Sequence, residues 1–196
     1  MARLGLASVS TVKPHLALLR GVNVGGNKQV AMSDLRKWME ALGFTGAQTL
    51  LQSGNIVFSA EEESCSDLER RLEVEAKKQL GLTSDFHVRT LAEWEDLILY
   101  NPFCEQARSD PSHLVAFVLK NSVTPSLART LQAAIQGREI VRVKGRTAYV
   151  YYPDGIGTSR LTAAVIDRHL QTRGTARNWN TVQKLLEIAG RLEVSP

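Results

Sequence analysis

Cysteine is scarce in this chain of 196 residues. Cys65 and Cys104 are its two thiols, and neither stands in a C-x-x-C or Cys/His spacing, which excludes a disulfide framework and a structural zinc site. Sparse, unpatterned thiols fit a reducing, cytoplasmic setting. Long apolar runs are missing too. No stretch approaches the ~20 residues that span a bilayer, and Met1 to Lys13 lacks the continuous apolar segment of a secretory signal. Residues 1–13 read as a flexible N-terminal extension, and no membrane contact is expected. Charge of one sign is only in small excess: 24 Lys and Arg stand against 20 Asp and Glu, a formal net charge of +4. That balance favours phosphate-bearing or acidic partners and excludes a polybasic, histone-like protein. No metal and no cofactor is expected, since neither has a recognisable motif.

What is present is ordinary globular material. The 43% hydrophobic content is enough for a sizeable core in one large domain or two small ones. His15 to Leu19 reads as a strand, and Leu35, Met39 and Leu42 give the next segment a helical face before Gly43. Ala47–Leu51 and Ile56–Phe58 form a hairpin about Gln52–Gly54. A second helix carries Leu68, Leu72, Ala76 and Leu80, with Ser66 and Glu69 as a capping box and Gly81 as its stop. Phe86–Val88 is a strand, and Thr90 with Glu93 caps a short helix that ends at Asn101-Pro102. A boundary follows near the polar stretch Cys104–Pro111, giving halves at 14–106 and 107–196. The second half repeats the order: strand His113–Leu119, a helix opening at Thr124-Pro125, strands Ile140–Val143 and Ala148–Tyr152, a helix opening near Thr158 or Ser159, and a last helix from Asn178. The expected architecture is α+β: two ferredoxin-like β-α-β-β-α halves, with antiparallel or mixed sheets and helices packed on one face. One continuous mixed sheet is the alternative.

Three polar, glycine-containing segments stand apart from this framework. In the first, an apolar run stops at Arg20 and enters a turn with Asn23, Gly25, Gly26, Asn27 and Lys28. It is neither a Walker A loop nor a dinucleotide fingerprint. Arg20 and Lys28 are candidate anion contacts with Asn23 and Asn27 as directional partners; equally, the Asn side chains serve a tight turn. The second segment, with Ser53 and Asn55, reads as hairpin chemistry or as a further ligand contact. The third runs from Gly155 to Lys184. Its glycines precede an expected helix start carrying Ser159 and Arg160, and Thr175, Arg177, Asn178, Asn180 and Lys184 repeat the polar chemistry. Ser159 and Asn178 are also ordinary N-caps. Trp179 reads as a packing staple or a stacking platform, and Tyr149, Tyr151 and Arg142 as a nucleic-acid platform or a buried sheet face. Catalytic machinery is weakly signalled. His15, His87, His113 and His169 are scattered without a sequence partner, so a structural role is expected for each.

With LLRGVNVGGNK, MSDLRKWMEALGFTGAQTLLQSGNIVF, NPF, GIGTSRL and TARNWNTVQKL in place, the chain resembles the bacterial family of unknown function DUF1697. The likeness runs from about Leu16 to Leu186. It departs at Arg160, where the family usually carries Lys, which keeps the charge and changes the donor geometry. The resemblance implies a duplicated α+β fold with ferredoxin-like halves and no established activity. The residues therefore point to a binding protein for a phosphate-bearing ligand, a nucleotide or nucleic acid, whose three polar segments converge. An enzyme acting on a phosphorylated or anionic small molecule is one alternative. The other is an interaction module in which those segments merely lock the halves together.

Overall fold

A computed structural model describes residues 12–23 and 29–194. Most of the expected N-terminal extension, and Gly25, Gly26, Asn27 and Lys28 of the first polar turn, lie outside them. Chain order is β1 (Lys13–Leu19), α1 (Met32–Ala41), β2 (Thr45–Leu50), β3 (Asn55–Ala60), α2 (Cys65–Leu80), β4 (Phe86–Thr90), α3 (Leu91–Leu99) and α4 (Cys104–Ser109). It continues with β5 (Leu114–Leu119), α5 (Pro125–Ala134), β6 (Ile140–Lys144), β7 (Thr147–Tyr151), α6 (Ala163–Leu170), β8 (Gly174–Asn178) and α7 (Trp179–Val194).

Two separate four-stranded sheets result, ordered β2-β3-β1-β4 and β6-β7-β5-β8, and every pairing in them is antiparallel. The same order twice makes two similar halves, each ferredoxin-like, in an α+β fold. The single mixed sheet is ruled out. β1 and β5 are buried on both faces, which is why their sequences are continuous apolar runs rather than alternating ones. Ala17 and Leu19 face α1 and α2, where Leu35, Met39, Leu68 and Leu72 complete one core. Val115, Phe117 and Leu119 face α5 and α6 in another. The opposite faces of the two sheets meet across a third cluster that joins the halves: Leu16, Leu18 and Val57 from one, Leu114, Ala116 and Val118 from the other, with Trp94 of α3 and Trp179, Val182 and Leu185 of α7 between them. The indole N–H of Trp94 donates to the Val182 carbonyl at 3.0 Å, whereas the equally large Trp179 has its buried indole nitrogen without a partner among the described residues.

Local signals explain most element ends. Thr90 and Glu93 make the reciprocal capping box, Thr124 caps α5 ahead of Pro125, and Gly81 takes the left-handed conformation at φ 62° that stops α2. Four readings are corrected. α2 is capped by Ser64, whose hydroxyl accepts from Asp67 N at 3.1 Å, and Glu69 is turned inward instead of closing a box with Ser66. α6 begins at Ala163 under Thr162, not near Thr158 or Ser159, so the glycines of Gly155–Gly157 sit in a loop rather than at a helix N-terminus. The stretch Gly174–Asn178 is the strand β8, and Cys104–Ser109 is a short helix.

Candidate functional site

The strand ends of both sheets meet in a polar seam. Asn23, in the left-handed region at φ 56°, accepts Val30 N at 2.9 Å and donates to the carbonyls of Val30 (3.0 Å) and Gln52 (2.8 Å). It thereby ties the turn after β1 to the β2–β3 hairpin. Asn55 donates to Leu50 O at 2.7 Å and Ser53 Oγ at 3.0 Å, and its Oδ1 accepts from Arg177 Nε. On β8 the alternation puts Thr175 and Arg177 on the face toward the first half. Arg177 Nη2 donates to Leu19 O and Ser53 O, both at 2.9 Å, and to Gly54 O at 3.4 Å. Its Nη1 donates to Thr175 Oγ1 at 2.9 Å and Ala176 O at 2.7 Å.

The first two polar segments and part of the third do converge, yet the guanidinium at their centre is spent. Arg has five N–H donors, and each nitrogen of Arg177 already faces protein oxygens. Burial lowers its pKa to about 10, so it stays a cation at neutral pH, held by carbonyl dipoles rather than by an acid. Arg20 is likewise engaged, with Nη1 2.5 Å from Asp167 Oδ2. A second cluster crosses the same boundary: Glu69 accepts from Val88 N (2.8 Å), Arg146 Nη2 (3.2 Å) and Lys120 Nζ (2.9 Å), and Arg89 Nη1 lies 3.7 Å away. Beside these cations His87 is fully buried, with no partner for either ring nitrogen among the described residues. Desolvation, then Lys120, Arg89, Arg177 and Arg20, push its pKa down to about 2.

The remaining candidates are placed elsewhere. Asn178 Oδ1 accepts from Thr181 N at 3.1 Å, the bond of an N-cap for α7. Asn180 is exposed, and Lys184 pairs with Glu187 at 2.7 Å on the solvent side. Trp179 and Tyr149 are buried, Tyr149 donating to Leu97 O at 2.7 Å, so neither is a stacking platform. His113 has a carboxylate partner that the sequence did not reveal: its Nδ1 is 2.8 Å from Asp110 Oδ2, which also accepts from Tyr151 at 3.0 Å. Burial, followed by Glu93, raises the Cys65 thiol to about 12, which leaves it inert. Among the described residues no group of three or more His, Cys, Asp or Glu is placed to hold a metal ion, and no helix is long and apolar enough to cross a membrane.

Ser159 and Arg160 belong to a separate cleft of about 670 Å³ in the second half. Its walls are the loop from α5 to β6 (Gln136–Glu139), the loop after β7 (Asp154–Leu161) and the α6 residues Val165, Arg168 and His169. Tyr152 closes the apolar end, donating to Leu161 O at 3.1 Å. Arg138 holds Asp154 through Nε (3.0 Å) and Nη2 (2.5 Å). Ser159 Oγ accepts from Leu161 N at 3.0 Å and donates to Glu139 Oε1. Glu139 Oε2 is buried without a partner among the described residues. Arg160 and Arg168 are exposed on the rim, and among the described residues no acid pairs with either. Arg138, Glu139 and Arg168 were not foreseen. A helical projection would have placed Arg168 on a solvent face, but nothing local set it on the same cleft as Arg160.

The family model described as a protein of unknown function, DUF1697, matches residues 12–149. A conserved bacterial protein from Streptococcus pneumoniae superimposes with a TM-score of 0.72 at 19% identity, covering 91% of this chain and 99% of that one; at this identity the likeness concerns the fold. No match is found among curated proteins.

Proposed function

Because the chain belongs to the DUF1697 family of proteins of unknown function, its activity has to come from its own side chains, and we propose that it binds a small phosphate-bearing ligand in the second-half cleft. One observation carries the reading: Arg160 and Arg168 border the same cavity, and among the described residues neither is neutralised. Unspent guanidinium forks at a concave site suit a phosphate, which accepts them bidentately. A volume near 670 Å³ falls in the range of pockets that enclose a molecule of nucleotide size. A polynucleotide, by contrast, calls for cations spread along a groove. The cytoplasmic setting expected from the sparse cysteines belongs to the same reading.

The seam residues Arg20, Asn23, Asn55, Thr175 and Arg177 fall outside this site, and we assign them to locking the halves. Asn23, Asn55, Thr175 and Arg177 have their polar atoms directed at the protein's own carbonyls, amides or hydroxyls, and Arg20 is ion-paired with Asp167. Isothermal titration of the whole chain with AMP, and with a 20-nucleotide single strand, tests the proposal. AMP is expected to bind, and Arg160→Ala with Arg168→Ala to weaken it by at least about tenfold, or ~1.4 kcal/mol. AMP affinity untouched by the double change would overturn the cleft assignment. Binding of the single strand alone, falling steeply with salt, would move the function to a polynucleotide.

A further inference from the structure

We infer that the ligand of this cleft presents hydroxyl groups beside its phosphate, so that a sugar phosphate, free or within a nucleotide, is the class it takes. The inference rests on the anion-binding reading of the same cleft and adds what lies at the other end of the molecule. Glu139 is a carboxylate in a wall whose rim carries Arg138, Arg160 and Arg168. Its Oε1 receives the Ser159 hydroxyl, while Oε2 is buried with no donor among the described residues. A buried carboxylate oxygen without a donor carries a desolvation penalty that nothing in the fold offsets. Gly137, lacking a Cβ, lets Oε2 lie close against its backbone. The cover over it, Gln136 to Arg138, is exposed and belongs to no helix or strand, and binding requires these residues to move aside when the ligand reaches Oε2.

A carboxylate only accepts, so the group that satisfies Oε2 is a donor, and a phosphate oxygen is repelled from it. Phosphate and donor therefore sit at opposite ends of one ligand. The donor is a hydroxyl rather than an ammonium, because the arginines of the rim disfavour a second cation. Ser159 Oγ donates to Glu139 and accepts from Leu161 N, which leaves it one lone pair. Oε2 and Oγ are then two acceptors, placed on a carboxylate and on the hydroxyl bonded to it, and a pair of neighbouring sugar hydroxyls answers both.

Titration calorimetry with methyl phosphate, ribose 5-phosphate and AMP separates the possibilities, since methyl phosphate offers the charge without hydroxyls. Ribose 5-phosphate is expected to bind at least about tenfold tighter than methyl phosphate. Glu139→Gln should erase that preference while methyl phosphate binding is retained or tightened, one negative charge having been removed. Equal affinity of the wild-type chain for methyl phosphate and ribose 5-phosphate would overturn the inference and leave the anion site standing. A preference that survives Glu139→Gln would do the same. No binding of any of the three would overturn both. AMP that binds with the same dependence on Glu139 supports the sugar contact and identifies a nucleotide as the source; AMP indifferent to Glu139 counts against it. Should Glu139→Gln fail to fold, the wild-type comparison decides by itself.

Discussion

The seam and the cleft are made of the same residue types and behave in opposite ways. Both contain arginine, amide or hydroxyl groups and glycine. In the seam Arg177 meets the carbonyls of Leu19, Ser53, Gly54 and Ala176 together with Asn55 and Thr175. The carbonyls of Leu19, Ser53 and Gly54 lie where β1 ends and the β2–β3 hairpin turns, Gly54 O also taking the backbone N–H of Leu19 at 2.8 Å, and a buried carbonyl has to find a donor. A cation with five donors in a planar fork is an economical answer. In the cleft the arginines are exposed, the loop glycines shape a concavity, and one carboxylate oxygen is unanswered. What distinguishes structure from binding is therefore the number of donors and acceptors left over, a property of the fold that residue identity does not reveal.

The strongest way to break this contrast is Arg177→Ala. If the seam locks the halves, the change strips several buried carbonyls of their donor and should cost about 3–5 kcal/mol, the range found when a buried charged partner is removed. Urea unfolding measures it. A loss below about 1 kcal/mol, coupled with lost phosphate binding, would return Arg177 to the ligand site.

His87 probes the same interface through pH. Its folded pKa of about 2 lies below the ordinary 6.5, so the unfolded chain binds a proton that the folded chain refuses. Stability from this group is complete above about pH 6.5 and declines as the pH falls, by up to ~1.4 kcal/mol per unit. Between neutral pH and pH 5 the loss is about 2 kcal/mol, and burial of His15, which lowers its pKa too, acts in the same direction. His87→Leu should flatten this acid limb by about that amount in unfolding curves recorded across pH. An unchanged limb would mean that burial and the four surrounding cations do not hold His87 neutral. A smaller effect is expected from Thr175→Val, which keeps the shape and removes the hydroxyl between Arg177 and Leu19 O: about 1–2 kcal/mol of stability, with no change in phosphate affinity.

How much of this was legible depended on how far each cause lies from its effect along the chain. The Thr90–Glu93 box, the Thr124-Pro125 start and the Gly81 stop are local, and each reads correctly because its partners lie within one helical turn. β8 was hidden because Thr175 and Arg177 look like surface chemistry; their face is buried only by the other half of the molecule. Glu69 stands three residues after a serine and so mimics a capping box, while its actual partners, Lys120 and Arg146, are far along the sequence. The convergence of the Arg20, Ser53 and Arg177 segments was readable from shared polarity. That Arg160 would part from them was not, since α6 begins at Ala163 and leaves Gly155–Arg160 as a loop over the opposite face of the second sheet.

The gentlest perturbation is the one that bears most on function. Arg160→Ala with Arg168→Ala removes two exposed side chains that, among the described residues, pair with no acid, so unfolding free energy should move by less than about 0.5 kcal/mol. Phosphate affinity should fall all the same, because a ligand phosphate would be the group those two forks serve. A double variant that loses stability like Arg177→Ala would show that the arginines hold the loop after β7 in place, and the cleft would then join the seam as architecture. A variant with unaltered stability and weakened AMP binding would instead separate the two regions by experiment as sharply as their hydrogen bonds separate them in space. The test discriminates because the two outcomes move different observables: one shifts the urea midpoint at constant affinity, the other shifts affinity at a constant midpoint.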